Sequence, residues 1–187
     1  MEITRLAIPD VLLLKPVKHG DDRGFFSEVF RDDALRAFGL DVLFVQDNHA
    51  FSSQAGVLRG LHFQSPPSEQ GKLVRCTRGA ILDVAVDIRH GSPTFGQHVV
   101  AELTADNWTQ IWAPPGFAHG YITLVADCEV LYKVTGYYDP SHDHGVAWDD
   151  PDLAIDWPLE RKRIILSAKD GRHPRLADSP TYFTYTG

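Results

Sequence analysis

At 187 residues, with 43% hydrophobic and 11% aromatic side chains, the chain is long enough to bury a core and too apolar to be disordered. Eighteen basic against 25 acidic residues give a formal charge of -7, which argues against wholesale binding of nucleic acid or of an anionic membrane. Cys76 and Cys128 stand in apolar, strand-like runs rather than in a CxxC pair, and read as small buried hydrophobes of a reducing compartment, not as a disulfide or zinc site.

The N-terminal run MEITRLAIPDVLLLKPV is too short and wrongly flanked for a signal peptide, and no later segment reaches the length of a membrane span. A soluble, cytoplasmic protein is expected. Without a repeat or a Pro/Gly-rich linker, residues 1–187 read as one domain. VLLLKPV, the polar KHGDDRG and FFSEVFR then read as strand, turn and strand. Asp32–Phe38 is the one short helix, with Asp32 or Asp33 as its N-terminal cap, Gly39 as its C-terminal cap and a place on the surface.

Eight strands are predicted after it: Val42–Asn48, Val57–Gln64, Lys72–Cys76, Ala80–Ile88, Gln97–Leu103, Thr109–Ala113, Ala118–Val125 and Glu129–Tyr137. Short turns of the GSPTFG, TADN and PPG kind separate them, and no helices alternate with them. The pattern excludes a doubly wound α/β sheet and predicts a mainly β protein, an antiparallel double-sheet jelly roll with few short peripheral helices. In the tail, Tyr182, Phe183 and Tyr185 suggest docking rather than fraying.

Alternation along strands puts Tyr132 with Val130 and Val134, His119 with Phe117 and Tyr121, Lys72 with Val74 and Cys76, and Asp83 with Ile81 and Ala85. All four polar groups then point into the barrel. Within GVLRGLHFQ, however, Arg59 and His62 have opposite parity. They share a cavity only if the strand bulges or twists, and Gly60 between them is the residue that permits it. His62 itself has three readings at this point: a general base, a hydrogen-bonded core histidine, or half of a metal site. Metal-dependent cupins carry a His-x-His pair, and here Gln64 occupies the second position. That leaves His62 and His119 as imidazole ligands, fewer than the three or four protein ligands usual for a tight site, so no metal is expected.

VLRGLHFQ, QGKLVRCTRGAILDVAVDIRHGSPTFGQ, WAPPGFAHGY, LYKVTGYYDP, WDDPDLAIDWP and LSAKD occur in that order over most of residues 20–170. Together they resemble the dTDP-4-dehydrorhamnose 3,5-epimerase family. The resemblance implies a cupin-like jelly roll, no metal or other cofactor, and a homodimer that exchanges N-terminal strands. It further implies a dTDP-4-keto-6-deoxyhexose substrate whose C3 and C5 are inverted by proton abstraction next to the C4 ketone. A mono-epimerase acting at C3 or C5 alone is the alternative.

By resemblance His62 is the base, Asp170 the carboxylate that orients it, Tyr132 the acid on the opposite face and Lys72 the cation that stabilises the enolate. Arg59 and Arg23 match diphosphate contacts, and a planar guanidinium suits that partner. Glu28, Gln46 and Asn48 match the groups that hold deoxyribose and thymine, and Tyr138 the aromatic that packs on the base. His119 belongs to the same pocket as His62, Tyr132 and Lys72, paired with Asp83. Arg23 and Glu28 are expected from the partner chain.

Overall fold

The computed structural model covers residues 1–187 and contains fifteen strands and one short α-helix. The N-terminal strands are β1 (Glu2–Arg5) and β2 (Leu12–Lys15), followed by a small hairpin of β3 (His19–Asp21) and β4 (Gly24–Phe26). Helix α1 (Asp32–Ala37) leads to β5 (Gln46–Ser52), β6 (Leu58–Gln64), β7 (Lys72–Arg78) and β8 (Ala80–Asp87). After the two-residue β9 (Arg89–His90) come β10 (His98–Thr104), β11 (Gln110–Ala113), β12 (Phe117–Thr123) and β13 (Cys128–Val134). β14 (Asp143–Gly145) and β15 (Phe183–Thr184) complete the set, with three single-turn 3-10 helices in the tail.

Two antiparallel sheets face each other. One has the order β1-β2-β11-β7-β13-β5 and the other β10-β8-β12-β6-β14. Non-consecutive neighbours in both sheets are what a jelly roll requires, and the predicted mainly β, double-sheet architecture is what folds. No helix is long and apolar enough to cross a membrane.

A core of 15 buried residues fills the space between the sheets. Val74 and Cys76 of β7, Ile81 and Ala85 of β8, Phe117 and Tyr121 of β12 and Val130 of β13 all contribute to it. Each shares strand parity with a polar residue named above, so Lys72, Asp83, His119 and Tyr132 are carried to the inner face by the same alternation that buries the core. β12 is buried along its whole length, because its outward residue Ala118 is covered by a second cluster with Leu61, Phe63 and Val86. Tyr182 and Phe183 of the tail pack on that cluster, so the tail docks, as its aromatics suggested.

Several local expectations change. Strand β5 runs Gln46–Ser52 rather than Val42–Asn48, since pairing with β13 begins at Gln46 while Val42 and Phe44 pack against Leu35 and Trp112. FFSEVFR forms strand only through Gly24–Phe26, and Phe25 and Phe26 remain exposed. The helix has Arg31, not an aspartate, at its N-cap, with no capping side-chain bond. Asp32 and Asp33 sit inside its first turn, where carboxylates favour the positive end of the helix dipole and pair with Arg36 and Arg31. Gly39 does follow the C-cap in a left-handed conformation, φ +98°. Nor is the helix merely a surface connection, because Leu35 is buried against Leu12, Leu14, Leu73 and Trp112.

Candidate active site

The predicted conflict of parity in β6 is resolved by a bulge. Arg59 lies opposite Tyr121 and His62 opposite His119, so three steps on β6 match two on β12. Gly60 occupies the extra position with φ +147°. A Cβ at Gly60 would meet the Gly120 Cα at 2.6 Å, so both glycines are needed for the two backbones to approach. The inserted residue turns His62 to the same side as Arg59.

Both then line one cavity of about 280 Å³. Arg59 and His62 of β6, with His119 and Tyr121 of β12, form one wall, while Lys72 of β7, Tyr132 of β13 and Ala50 of β5 come from the other sheet. Ser167, Lys169 and Asp170 close it from the tail. The base and acid candidates are therefore mounted on opposing sheets, which is the arrangement that proton transfer at two faces of one carbon demands.

His62 Nε2 and Asp170 Oδ1 are 2.6 Å apart, and Asp170 is itself buried. Its backbone N–H donates to Ser167 Oγ at 3.1 Å, which sets the turn that delivers the carboxylate. Burial pushes the Asp170 carboxyl upward, but the imidazoles of His173 and His62 and the Ser167 hydroxyl outweigh it and hold the group well below the usual carboxylate range. For His62, burial lowers the pKa, Asp170 raises it and Lys72 lowers it further, with a net fall below 6.5. A neutral imidazole beside an ionised carboxylate is the resting state of a general base.

Lys72 is half-buried, and its desolvation pushes the ammonium down to about 8 against the pull of Asp143 and Asp83. Its Nζ donates to the His62 carbonyl at 3.3 Å. Tyr132 is pushed up by burial, which keeps the phenol protonated at neutral pH. His119 Nε2 lies 2.9 Å from both oxygens of Asp83, the pairing expected from the sequence. Asp83 is fully buried, and its carboxyl is raised by burial more than the imidazole lowers it.

Of the substrate-contact candidates, Arg59 and His119 line the cavity. Arg59 is steered by its bonds to the Phe51 carbonyl, 3.1 Å, and Ser52 Oγ, 3.4 Å. Gln46, Asn48 and Tyr138 form a separate group. Gln46 Nε2 donates to Asn48 Oδ1 at 2.9 Å, the Tyr138 N–H donates to Gln46 Oε1 at 3.2 Å, and the Tyr138 hydroxyl donates to Asp143 at 3.1 Å. Arg23 and Glu28 lie outside the cavity on the N-terminal segment, where Arg23 pairs with Asp21 and Glu28 with Arg31. Sequence reasoning missed Lys169, Ser167 and His173. Ser167 and Lys169 belong to LSAKD, whose strict adjacency to Asp170 was the available signal.

His62, Asp170 and His173 place three potential metal donors within 4.8 Å of one another. Within this cluster His62 and Asp170 are at hydrogen-bonding distance, while His173 stands 3.6 Å from Asp170. Bonds of about 2.0–2.1 Å in tetrahedral geometry separate donors by roughly 3.3 Å, whereas His62 and Asp170 stand 2.6 Å apart.

A jelly roll whose two sheets, with Asp170 from the tail, bring His62, Tyr132 and Lys72 to one cavity defines a cupin-like fold carrying the kinds of group that an isomerase uses. The comparisons agree. The sequence model of the dTDP-4-dehydrorhamnose 3,5-epimerase family matches residues 5–178, and the chain belongs to that family. It is 52% identical over 185 residues to the dTDP-4-dehydrorhamnose 3,5-epimerase of Sinorhizobium fredii, covering 99% of this chain and 94% of the relative. The crystal structure of the Legionella pneumophila 3,5-epimerase in complex with dTDP-4-keto-L-rhamnose superposes with a TM-score of 0.95 at 43% identity, covering 100% and 99% of the two chains. A 3′-monoepimerase from Streptomyces bikiniensis, bound to dTDP-quinovose, is also similar, with a TM-score of 0.85, 38% identity and coverage of 92% and 87%.

Proposed function

We propose that the chain inverts C3 and C5 of dTDP-4-keto-6-deoxy-D-glucose to give dTDP-4-keto-L-rhamnose. The observation that carries this reading is the placement of Asp170-bonded His62 and of Tyr132 on opposing sheets of one cavity. A C4 ketone acidifies the hydrogens on C3 and C5. His62 removes one of them, and the electron pair left on carbon delocalises onto the C4 oxygen as an enolate. Asp170 stabilises the imidazolium so formed. The Lys72 ammonium stabilises the enolate oxygen as a charge already in place before the reaction, so that no solvent need reorganise around it. Tyr132 donates its phenolic proton to the other face of the carbon, which inverts the centre. After His62 loses its proton and Tyr132 regains one, the cycle repeats at the second carbon.

Arg59 binds the diphosphate, and Gln46, Asn48 and Tyr138 receive the nucleoside. Arg23 and Glu28 complete this site in a homodimer, supplied by the exchanged N-terminal segment of a second copy. Their position outside the cavity and the exposure of Phe25 and Phe26 on the same hairpin support that assignment. The proposed unit needs neither metal nor organic cofactor. NMR of the reaction in deuterated water tests the reading. Deuterium at both C3 and C5 with an L-rhamno product is expected, and exchange at C3 or C5 alone would make the enzyme a mono-epimerase.

A further inference from the structure

His173 takes no part in the proton transfers above, yet it is built into their machinery. Its side chain is 9% exposed, and its Nε2 is buried with no hydrogen-bond partner. That nitrogen stands 3.6 Å from Asp170 Oδ1, the same oxygen that bonds His62. The His173 ring meets the His62 ring edge to face, with centroids 5.6 Å apart and planes at 76°.

The seat of this ring is equally defined. A Cβ on Gly145 would lie 2.5 Å from His173 Nε2, so the imidazole rests directly on the β14 backbone. Gly145 is the residue opposite His62 in the β14–β6 ladder. Immediately after His173, the Pro174 carbonyl accepts the Ala147 N–H at 2.7 Å. Base, carboxylate and second imidazole are thus referenced to the same pair of strands.

We propose that His173 is a positioning residue that holds the Asp170 carboxylate in line with His62 and limits how much of its charge the base receives. This rests on the assignment of His62 as base. A buried imidazole nitrogen ordinarily has a partner, and here the carboxylate is the group within a few tenths of an ångström of bonding distance. The other titratable and charged groups lining the cavity with His62 are Arg59 from β6, Lys72 from β7, His119 and Tyr121 from β12, Tyr132 from β13 and Lys169 from the tail, the last paired with Asp143 of β14.

The sign of the effect is determined. Removing His173 takes away a neighbour that opposes a proton on His62 and frees Oδ1 to serve His62 alone, so protonated His62 is favoured. A general base must be neutral to act, and the acid limb of the rate profile moves to higher pH.

The test is kcat and KM against pH for wild type, His173→Ala and His173→Asn, with ¹⁵N NMR of the His62 ring and dTDP affinity alongside. In His173→Ala, kcat is expected to fall about tenfold or more, a factor of about ten below the lower end of the scale on which a positioned acid–base group contributes, since His173 acts through Asp170. The acid limb should rise by about half a pH unit or more, with the His62 ring signals moved and with KM and dTDP affinity kept within about twofold. His173→Asn, which retains a donor, should recover part of both the rate and the limb. An unmoved acid limb with wild-type kcat, or a change in KM alone, overturns the proposal. If His173→Ala does not fold, His173→Asn and His173→Gln carry the same comparison. Failure of the base assignment is distinguishable, because it would appear as isotope exchange surviving in His62→Ala.

Discussion

His62 Nε2 and Asp170 Oδ1, 108 residues apart in sequence, meet at 2.6 Å in the wall of the cavity. In the proposed mechanism this contact orients the His62 imidazole for its role as base. His62→Ala and Asp170→Asn are each expected to lower kcat by about 10²–10⁴-fold and to abolish deuterium incorporation from solvent. Binding of dTDP, followed by calorimetry, should change little. Normal exchange in either variant would remove the role assigned here.

Tyr132 stands on the other sheet, so its loss should separate the two halves of the reaction. In Tyr132→Phe, abstraction and return of the proton by His62 should continue on one face while inversion falls by about 10²-fold or more. Solvent exchange measured by NMR against product formation reports the difference. Product formation at the wild-type rate would exclude Tyr132 as the acid.

The pH profile of kcat/KM should be bell-shaped. The proposed base His62 must be neutral to act and its pKa is lowered by burial, so the acid limb is expected below 6.5. The proposed enolate-stabilising ammonium of Lys72 is pushed down to about 8, so activity is expected to decline as pH rises through that value. Lys72→Met should lose the alkaline limb together with about 10²–10³ of the rate, the scale of removing one preorganised oxyanion group. An alkaline limb that persists unchanged in Lys72→Met would assign it to another residue.

Gly60 is the position on which the shared cavity depends. Its φ of +147° and the 2.6 Å approach of Gly120 Cα leave no room for a methyl group. Gly60→Ala should cost about 1–3 kcal/mol or more of stability, read as a lowered midpoint in denaturant, and should reduce activity by misplacing Arg59 relative to His62. Wild-type stability and turnover in this variant would show that the bulge tolerates a side chain.

Chelation gives a further check. With donors at proton-sharing distance, activity should survive prolonged EDTA treatment, and metal analysis of the active protein should find less than one equivalent per chain. Full loss of activity restored by a divalent ion would reassign the His62, Asp170 and His173 cluster.

By itself the sequence determined the class of fold and the inward set. Period-two alternation is a local property of an extended chain, so the faces of Lys72, Asp83, His119 and Tyr132 could be read before any strand was paired. The family motifs likewise named His62 and Asp170. Strand ends at Val42–Asn48, the N-cap at Arg31 and the partial burial of the helix were not legible, because each depends on which neighbour supplies hydrogen bonds or covers an apolar face. The tertiary structure alone decided that one extra residue at Gly60 brings Arg59 and His62 to one side, since a bulge exists only relative to the partner strand. It also decided that His173 lies beside His62. Nothing in a tail without periodicity encodes that placement, which comes from Gly145 leaving space on the strand next to the base.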